Sequence, residues 1–211
     1  WYGDHRDLHL SLRRQRQMCI RDSYSILDKF GNSVAVTTTL NSSFGSKIII
    51  PKLGFFMNNE MDDFSIKPGS ANNYGLIGGK INSIQPEKRM LSSMTPTIIE
   101  KNGKLSMILG SPGGPTIITS VLETILNVYL FNDKLSQAIN RPRFYHLWLP
   151  DKVYYEKNAI ANSVMDSLKN IGYSFNTNFS SIGRVDAIYL DESGRIFAVP
   201  DPRGDDYAIG K

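Results

Sequence analysis

The sequence predicts an α+β sandwich. Strand-like runs rich in β-branched and aromatic residues occur in the first 110 residues and again from residue 152 onward. Helix-like runs at residues 115–130, 134–140 and 160–171 lie between these strands. Strands at both ends of a chain with helices between them are typical of packed sheets covered by helices.

Two β-hairpins are predicted in the first half of the chain. Residues 24–40 hold two strand-like runs separated by a Phe-Gly-Asn turn. Residues 97–100 and 106–109 flank Lys-Asn-Gly-Lys, a strong signal for a tight hairpin turn. Further strand-like runs complete the second half, at residues 152–156, 173–177, 185–190 and 195–198.

Glycines mark two segments that need an unusual backbone. Residues 68–79 are rich in Gly and Asn without periodicity, so we expect a mobile loop, or lid. Gly113 and Gly114 end an apolar run and precede Pro115, which suits the first position of a helix. N–H groups at a helix start carry partial positive charge, and glycine lets a substrate oxygen approach them. The pair therefore predicts an oxyanion hole, although an ordinary strand-to-helix turn has the same pattern.

Composition limits the classes of protein to which the chain can belong. A chain of 211 residues with 41% hydrophobic residues and a net charge of +4 fits a soluble globular protein. The single cysteine, Cys19, allows no internal disulfide. We find no apolar run long enough to span a membrane, no signal-peptide pattern and no basic stretch typical of nucleic-acid binding. No His/Cys cluster offers a metal site, and we expect no metal or organic cofactor.

Residues 1–22 differ from the rest of the chain. They hold five arginines, three aspartates and the only cysteine, with no helix or strand period. We interpret them as foreign to the domain, which would then comprise residues 23–211. They could be left from cloning, translated from a sequencing adapter, or derived from a misassembled gene end; the alternative is a genuine basic linker. His5 and His9 fall in this segment and receive no catalytic role.

Six motifs in order carry a family resemblance. They are VAVTTTLN at residues 34–41, NNEMDDF at 58–64, KRMLSSMTPT at 88–97, GSPGG at 110–114, RPRFYHLWLP at 141–150 and DPRG at 201–204. Together they closely resemble the small subunit of bacterial γ-glutamyltransferase, also called γ-glutamyltranspeptidase. The resemblance implies an N-terminal-nucleophile hydrolase with an αββα sandwich, of which this chain would be the small-subunit portion.

The resemblance also implies a mechanism. Members of the family are made as a precursor that cuts itself before a threonine, whose freed α-amine then activates its hydroxyl. In this sequence the expected Thr-Thr-His is replaced by Arg21, Asp22 and Ser23. A guanidinium stays protonated and cannot be a nucleophile. We therefore expect the chain as written to be inactive, and the natural protein to carry threonine at position 21.

Catalytic roles carry over to a few positions. Thr39 matches the family's second threonine, which hydrogen-bonds the nucleophile; a simple strand residue is the alternative. Gly113 and Gly114 match the oxyanion hole. Tyr74 lies in the segment that resembles the substrate lid. His146 is more typical of a packed structural histidine than of a catalytic one.

Substrate-binding roles carry over to two polar groups. Asn41, Glu60 and Asp63 match residues that hold the α-amino end of a glutamyl group, and carboxylates suit an ammonium. Without the resemblance, the two acids would be interpreted as a solvated loop. Ser92 and Ser93 match the clamp for the α-carboxylate, to which neutral hydroxyls can donate.

The resemblance implies acyl transfer and hydrolysis of γ-glutamyl amides such as glutathione, with amino acids or peptides as acceptors. It implies a large subunit from the same precursor, and a periplasmic or secreted location. Two related alternatives are a cephalosporin acylase and a poly-γ-glutamate depolymerase. A third is a non-catalytic binding subunit that has lost its nucleophile.

Overall fold

The computed structural model describes residues 22–176 and 181–210. Its strands are β1 (Asp22–Leu27), β2 (Ser33–Thr38), β3 (Thr97–Lys101), β4 (Lys104–Gly110), β5 (Phe144–Leu147), β6 (Lys152–Tyr155), β7 (Phe175–Asn176), β8 (Asp186–Leu190) and β9 (Ile196–Val199). Its α-helices are α1 (Ile117–Tyr129), α2 (Leu135–Asn140) and α3 (Asn162–Asn170). Both predicted hairpins and all three predicted helices are present. Within the described ranges, no helix combines the length and apolarity needed to cross a membrane.

Three sheets organise these strands. β1 and β2 form an antiparallel hairpin, and β3, β4, β8 and β9 form a four-stranded antiparallel sheet in that order. A third sheet joins β5 to β6 antiparallel and β6 to β7 parallel. The first strand begins at Asp22, whose backbone pairs with Thr38, one residue before the boundary we drew from the sequence.

β4 is buried on both of its faces. Met107 and Leu109 pack with Ala187 against α1 and α2. On the opposite face, Gly110 approaches β1 so closely that a Cβ there would lie 3.1 Å from the Cβ of Ser23. Because side chains alternate along a strand, this burial places helices on one side of β4 and the hairpin on the other. The layers are helices, a sheet and a second sheet, which confirms the predicted α+β sandwich.

The turn between β3 and β4 follows its sequence signal. Asn102 and Gly103 are its two central residues, with φ angles of 55° and 73°. Two-residue hairpin turns of this kind need positive φ at both positions, which Asn-Gly adopts at low cost. The predicted tight turn is therefore confirmed.

β5 was not predicted from the sequence. It alternates between exposed and buried residues, with Tyr145 buried and stacked on Tyr154 of β6. His146 therefore points outward; it is exposed, which corrects the expectation of a packed histidine. Its Nε2 lies 2.8 Å from the Asp151 carboxylate, and its ring meets the edge of Tyr173. Four residues between prolines are too short for their period to be recognised in the sequence.

A buried group of charges, the ionic cluster, consists of Arg143, Glu156, Asp201 and Arg203. The side chains of Arg143 and Asp201 are 2% and 0% exposed, and their nearest nitrogen and oxygen are 2.7 Å apart. Arg203 reaches Glu156 at 2.6 Å and Asp201 at 3.2 Å. The cluster joins the start of β5, the end of β6 and the segment that follows β9.

Replacing Asp201 by alanine is expected to lower the free energy of unfolding by about 3–5 kcal/mol, because Arg143 would lose its buried counter-charge. The control is Glu192→Ala, which removes a surface partner of Lys101 that is 87% exposed. That change should cost less than about 1 kcal/mol. Urea titrations measure both values. Equal losses would show that the ionic cluster stabilises the fold no more than a surface pair.

Candidate active site

The candidate oxyanion loop, residues 110–116, connects β4 to α1. Ser111 and Pro112 are buried, and Gly113 is exposed with a φ of 134°. Gly114 has a φ of 59° and opens a 3-10 turn that leads directly into α1. A Cβ on Gly113 would lie 2.5 Å from Thr116 Oγ1, so this backbone path requires glycine. Such a turn can direct backbone N–H groups toward a developing oxyanion.

The serine pair lies beside this loop. Ser93 Oγ donates to the carbonyl of Gly114 at 3.2 Å. Ser92 is exposed, and its Oγ accepts from the Met94 amide at 3.2 Å. The structure thus brings a candidate carboxylate clamp and the candidate oxyanion hole into direct contact.

A second group forms around the end of β2. Thr39 Oγ1 accepts from the Asn41 amide at 2.7 Å. Asn41 is buried with a φ of 72°, and its side chain donates to the carbonyl of Asn59. Tyr74 Oη donates to the Asn41 carbonyl at 2.9 Å, which holds the predicted lid against this group. Thr39, Asn41 and Tyr74 are therefore neighbours.

The acidic residues lie on a short 3-10 turn, Glu60–Asp63, which follows Asn59 directly. Asn82 links this turn to the serines: its Nδ2 donates to the Asp63 carbonyl at 2.7 Å, and its Oδ1 accepts from the Leu91 amide at 3.0 Å. A cavity of about 380 Å³ opens beside Asp63 and Leu91. Sequence reasoning missed Asn82, because an asparagine in a loop carries no pattern that marks it as a bridge.

The N-terminal strand approaches the same end of β4. Ser23 is buried, and its Oγ is 2.8 Å from Thr37 Oγ1. Ser25 Oγ donates to the Asp186 carbonyl at 3.3 Å. Arg21, the position predicted for the nucleophile, lies outside the described residues, as do His5 and His9.

An acidic group that the sequence did not reveal lies at the start of β1. Carboxylate oxygens of Asp22, Asp186 and Asp206 fall within 4.8 Å of one another. Arg184 contacts Asp22 at 3.2 Å and Asp206 at 2.9 Å, so its guanidinium already supplies positive charge there. Burial, reinforced by the neighbouring carboxylates, raises the pKa of Asp186 to about 7 and that of Asp206 to about 6. Three carboxylates could ligate a divalent cation, and among the described residues this is the cluster with that geometry.

Comparisons with known proteins point to one family. A sequence model of the gamma-glutamyltranspeptidase family matches residues 23–211. The glutathione hydrolase proenzyme of Escherichia coli K12 is 43% identical over 188 residues, covering 89% of this chain and 32% of the proenzyme. The proenzyme of Pseudomonas aeruginosa is 43% identical over 183 residues, covering 86% of this chain and 33% of its own length. The chain thus spans about a third of the curated relatives it matches.

Solved structures give the same result. A gamma-glutamyltranspeptidase from Helicobacter pylori is 47% identical with a TM-score of 0.81, covering 86% of this chain and 99% of that one. The enzyme from Pseudomonas nitroreducens, complexed with L-DON, is 41% identical with a TM-score of 0.83, covering 90% and 98%.

The fold is that of an N-terminal-nucleophile hydrolase domain. More specifically, the chain belongs to the gamma-glutamyltranspeptidase family. A likeness to a cephalosporin acylase from Bacillus halodurans, at 21% identity and a TM-score of 0.72, concerns the fold alone.

Asp186 should make stability depend on pH. Its raised pKa means that the folded state holds a proton which the unfolded state releases above the ordinary pKa of 3.8. The contribution of Asp186 to stability therefore falls as pH rises from about 4 to about 7. Burial is the main cause of the raised pKa; Asp206, Asp22 and Asp201 add to it, and Arg184 opposes it. Asp186→Asn should reduce the decrease in the free energy of unfolding between pH 4 and pH 7 by about 2 kcal/mol.

The control for this measurement is Asp191→Asn, since hydrogen bonds to Ser193 and Arg195 lower the pKa of Asp191 to about 2. That carboxylate is ionised in both states between pH 5 and 7, so the slope there should not change. Urea unfolding across this pH range measures the slopes. A slope for Asp186→Asn identical to that of the parent protein would contradict the assignment.

Proposed function

We propose that this domain is the catalytic small subunit of an enzyme that hydrolyses and transfers γ-glutamyl groups. Glutathione and related γ-glutamyl amides are the proposed donors, and water, amino acids or peptides are the acceptors. The observation that carries the proposal is the Ser93 hydrogen bond to Gly114, which joins a carboxylate clamp to an oxyanion loop. The names of the relatives, glutathione hydrolase proenzymes, support the same activity.

Recognition of the substrate would use both polar groups of the site. Ser92 offers a hydroxyl donor to the α-carboxylate, and Ser93 would donate to it by turning its hydroxyl away from the Gly114 carbonyl. Asp63 and Glu60 offer carboxylates to the α-ammonium. Asn82 bridges the acidic turn and the serine segment. The groups that bind the α-ammonium and the α-carboxylate would therefore be held at a fixed separation. The γ-carbonyl would then extend toward Gly113.

The chemical step would be acyl transfer. A threonine hydroxyl at position 21 attacks the γ-carbonyl while the chain's own α-amine accepts its proton. The N–H groups of Gly113 and Gly114 stabilise the resulting oxyanion, and the amine of the donor leaves with the transferred proton. Water or an acceptor amine then attacks the acyl-enzyme, and the threonine hydroxyl is regenerated. Thr39 would orient the nucleophile.

A large subunit is the proposed partner, and it would come from the same precursor. The family proteins are proenzymes of about three times this length. α1 also carries an exposed apolar stripe of Ile118, Leu122 and Leu126, which are 51%, 50% and 38% exposed. Residues spaced by four share one face of a helix, and such a face fits a neighbouring layer. We further propose that the assembled enzyme is exported to the periplasm or secreted.

The main rival is a binding subunit without catalysis. Arg21 supports it, because this side chain cannot serve as the nucleophile. Resequencing the gene across codons 1–25 separates the two. A large-subunit reading frame that runs directly into Thr-Thr-His supports the enzyme, whereas an intact frame through Arg21 supports the binding subunit. The same experiment tests our proposal that residues 1–22 are foreign, which the family match beginning at residue 23 supports.

The chain with Arg21 is expected to have no γ-glutamyl hydrolase activity, even when a large subunit is supplied. Activity should appear after Arg21→Thr, Asp22→Thr and Ser23→His, with the chain starting at position 21 so that its amine is free. Hydrolysis of a chromogenic γ-glutamyl anilide measures both forms. Turnover by the Arg21 form would refute the threonine mechanism.

In the restored enzyme, Asp63→Ala should lower kcat/KM by about two to four powers of ten. The reason is the loss of a charge partner for the α-ammonium, a change worth roughly 3–5 kcal/mol in a closed pocket. A glutaryl anilide lacks that ammonium, so Asp63→Ala should lower kcat/KM for this substrate much less. Ser92→Ala should instead weaken substrates that bear the α-carboxylate.

The control variant is Asp166→Ala, which removes an exposed carboxylate on α3 and should leave both substrates unaffected. Steady-state kinetics with both anilides measures all three variants. If Asp63→Ala impairs both anilides equally, Asp63 supports the fold and the assignment of the glutamyl pocket is wrong.

A further inference from the structure

Gly183 packs directly behind the oxyanion loop. A Cβ on Gly113 would lie 3.2 Å from Gly183 Cα, so the two glycine backbones are in close contact. A Cβ on Gly183 would lie 2.1 Å from Ser120 Oγ and 3.0 Å from Ser111 Oγ. Gly183 also has a φ of 61°, a conformation that other residues rarely adopt. Both space and backbone geometry therefore require glycine at this position.

The segment around Gly183, residues 182–185, is held rigidly by the ionic cluster. The Ile182 amide donates to Glu156 Oε1 at 2.7 Å, and the Ile182 carbonyl accepts from Arg143 at 2.9 Å. The Val185 amide donates to Asp201 Oδ2 at 2.7 Å. Ile182 and Val185 are fully buried. Hydrogen bonds to buried charges are strong, so the position of Gly183 is fixed from both sides.

Ser111 connects this segment to the oxyanion loop. Its buried Oγ accepts from the Arg184 amide at 2.9 Å and donates to the Pro112 carbonyl at 2.7 Å. The Pro112 carbonyl belongs to the peptide group whose nitrogen is that of Gly113. A shift of residues 182–185 would therefore reach Gly113 both through packing and through this hydrogen-bonded bridge.

We propose that Gly183 is a positioning residue that sets the direction of the Gly113 and Gly114 N–H groups through packing and through Ser111. The inference rests on the proposed function, in which these N–H groups bind the oxyanion. Their interaction with the oxyanion exists in the transition state and is absent from the ground state, so misplacing them lowers kcat and leaves KM nearly unchanged.

The test uses the two-subunit enzyme with threonine at position 21. Gly183→Ala should lower kcat for a γ-glutamyl anilide by about 10- to 100-fold, with KM within about threefold, as expected for a displacement of reacting groups by less than 1 Å. The matched control is Gly103→Ala. Gly103 has a similar φ of 73° but open space around it, so its substitution adds backbone strain without a collision. Its kcat should stay within about threefold of the parent.

A double variant separates the collision from the strain. Ser120 Oγ and Ser120 Cβ lie 2.1 Å and 2.7 Å from the added Cβ, so Ser120→Gly combined with Gly183→Ala should recover several-fold of the lost kcat. Ser111→Ala removes the bridge without adding bulk and should lower kcat by about 3- to 30-fold at constant KM. This variant decides the question if Gly183→Ala does not fold.

Amide hydrogen exchange over residues 111–116 is measured in the same variants. Exchange there should accelerate in Gly183→Ala and Ser111→Ala and stay unchanged in Gly103→Ala. The proposal is overturned if Gly183→Ala and Gly103→Ala have the same kcat, or if exchange in the loop is unaffected. Turnover by the parent enzyme reports separately on the proposed function, because the exchange measurement needs no activity.

Discussion

The contact between Arg143 and Asp201 is the constraint on which the arrangement of this domain depends. Neither side chain reaches solvent, and removing either one leaves a buried charge without its partner. Asp201 also accepts from the Val185 amide, while Arg143 donates to the Ile182 and Ile139 carbonyls. One ion pair therefore joins α2, the third sheet, the entry to β8 and the C-terminal segment. Replacing such charges by apolar groups would lose these directional bonds even if it preserved packing.

The Arg143–Asp201 ion pair and its hydrogen bonds form a frame that supports the candidate site. β4 passes between the helices and the β1–β2 hairpin and ends at Gly110, and the backbone reaches solvent three residues later, at Gly113. The frame holds the far side of that turn through residues 182–185, whereas the near side faces Ser93. Loops carry the residues proposed to bind substrate, and buried elements fix the backbone of the candidate oxyanion loop. This division is common in enzymes, because loops vary easily while an oxyanion hole must be preorganised.

Sequence patterns predicted the features that depend on interactions between residues close in sequence. Asn102-Gly103 and the helix that follows Pro115 were recognised because turn chemistry and helix periodicity act over a few residues. The family motifs added the positions of Thr39 and the serine pair. β5, Asn82 and Gly183 were missed because their roles arise from contacts between segments distant in sequence: Asn82 bridges two loops, and Gly183 meets a turn 70 residues earlier. Nothing in the residues beside them distinguishes such positions.

The first strand shows why folding and catalysis can separate in this domain. The ladder between β1 and β2 uses backbone groups, so Asp22 pairs with Thr38 whatever its side chain is. Ser23 is a small residue buried between Thr37 and Gly110, and Gly110 leaves room there because it has no Cβ. A chain without Thr-Thr-His can therefore keep the register of the β1–β2 hairpin. The proposed nucleophile would require one side chain and a free amine, whereas the hairpin requires only the strand pairing. The pairing remains when the chemistry is lost, so a catalytic and a non-catalytic form could share this structure.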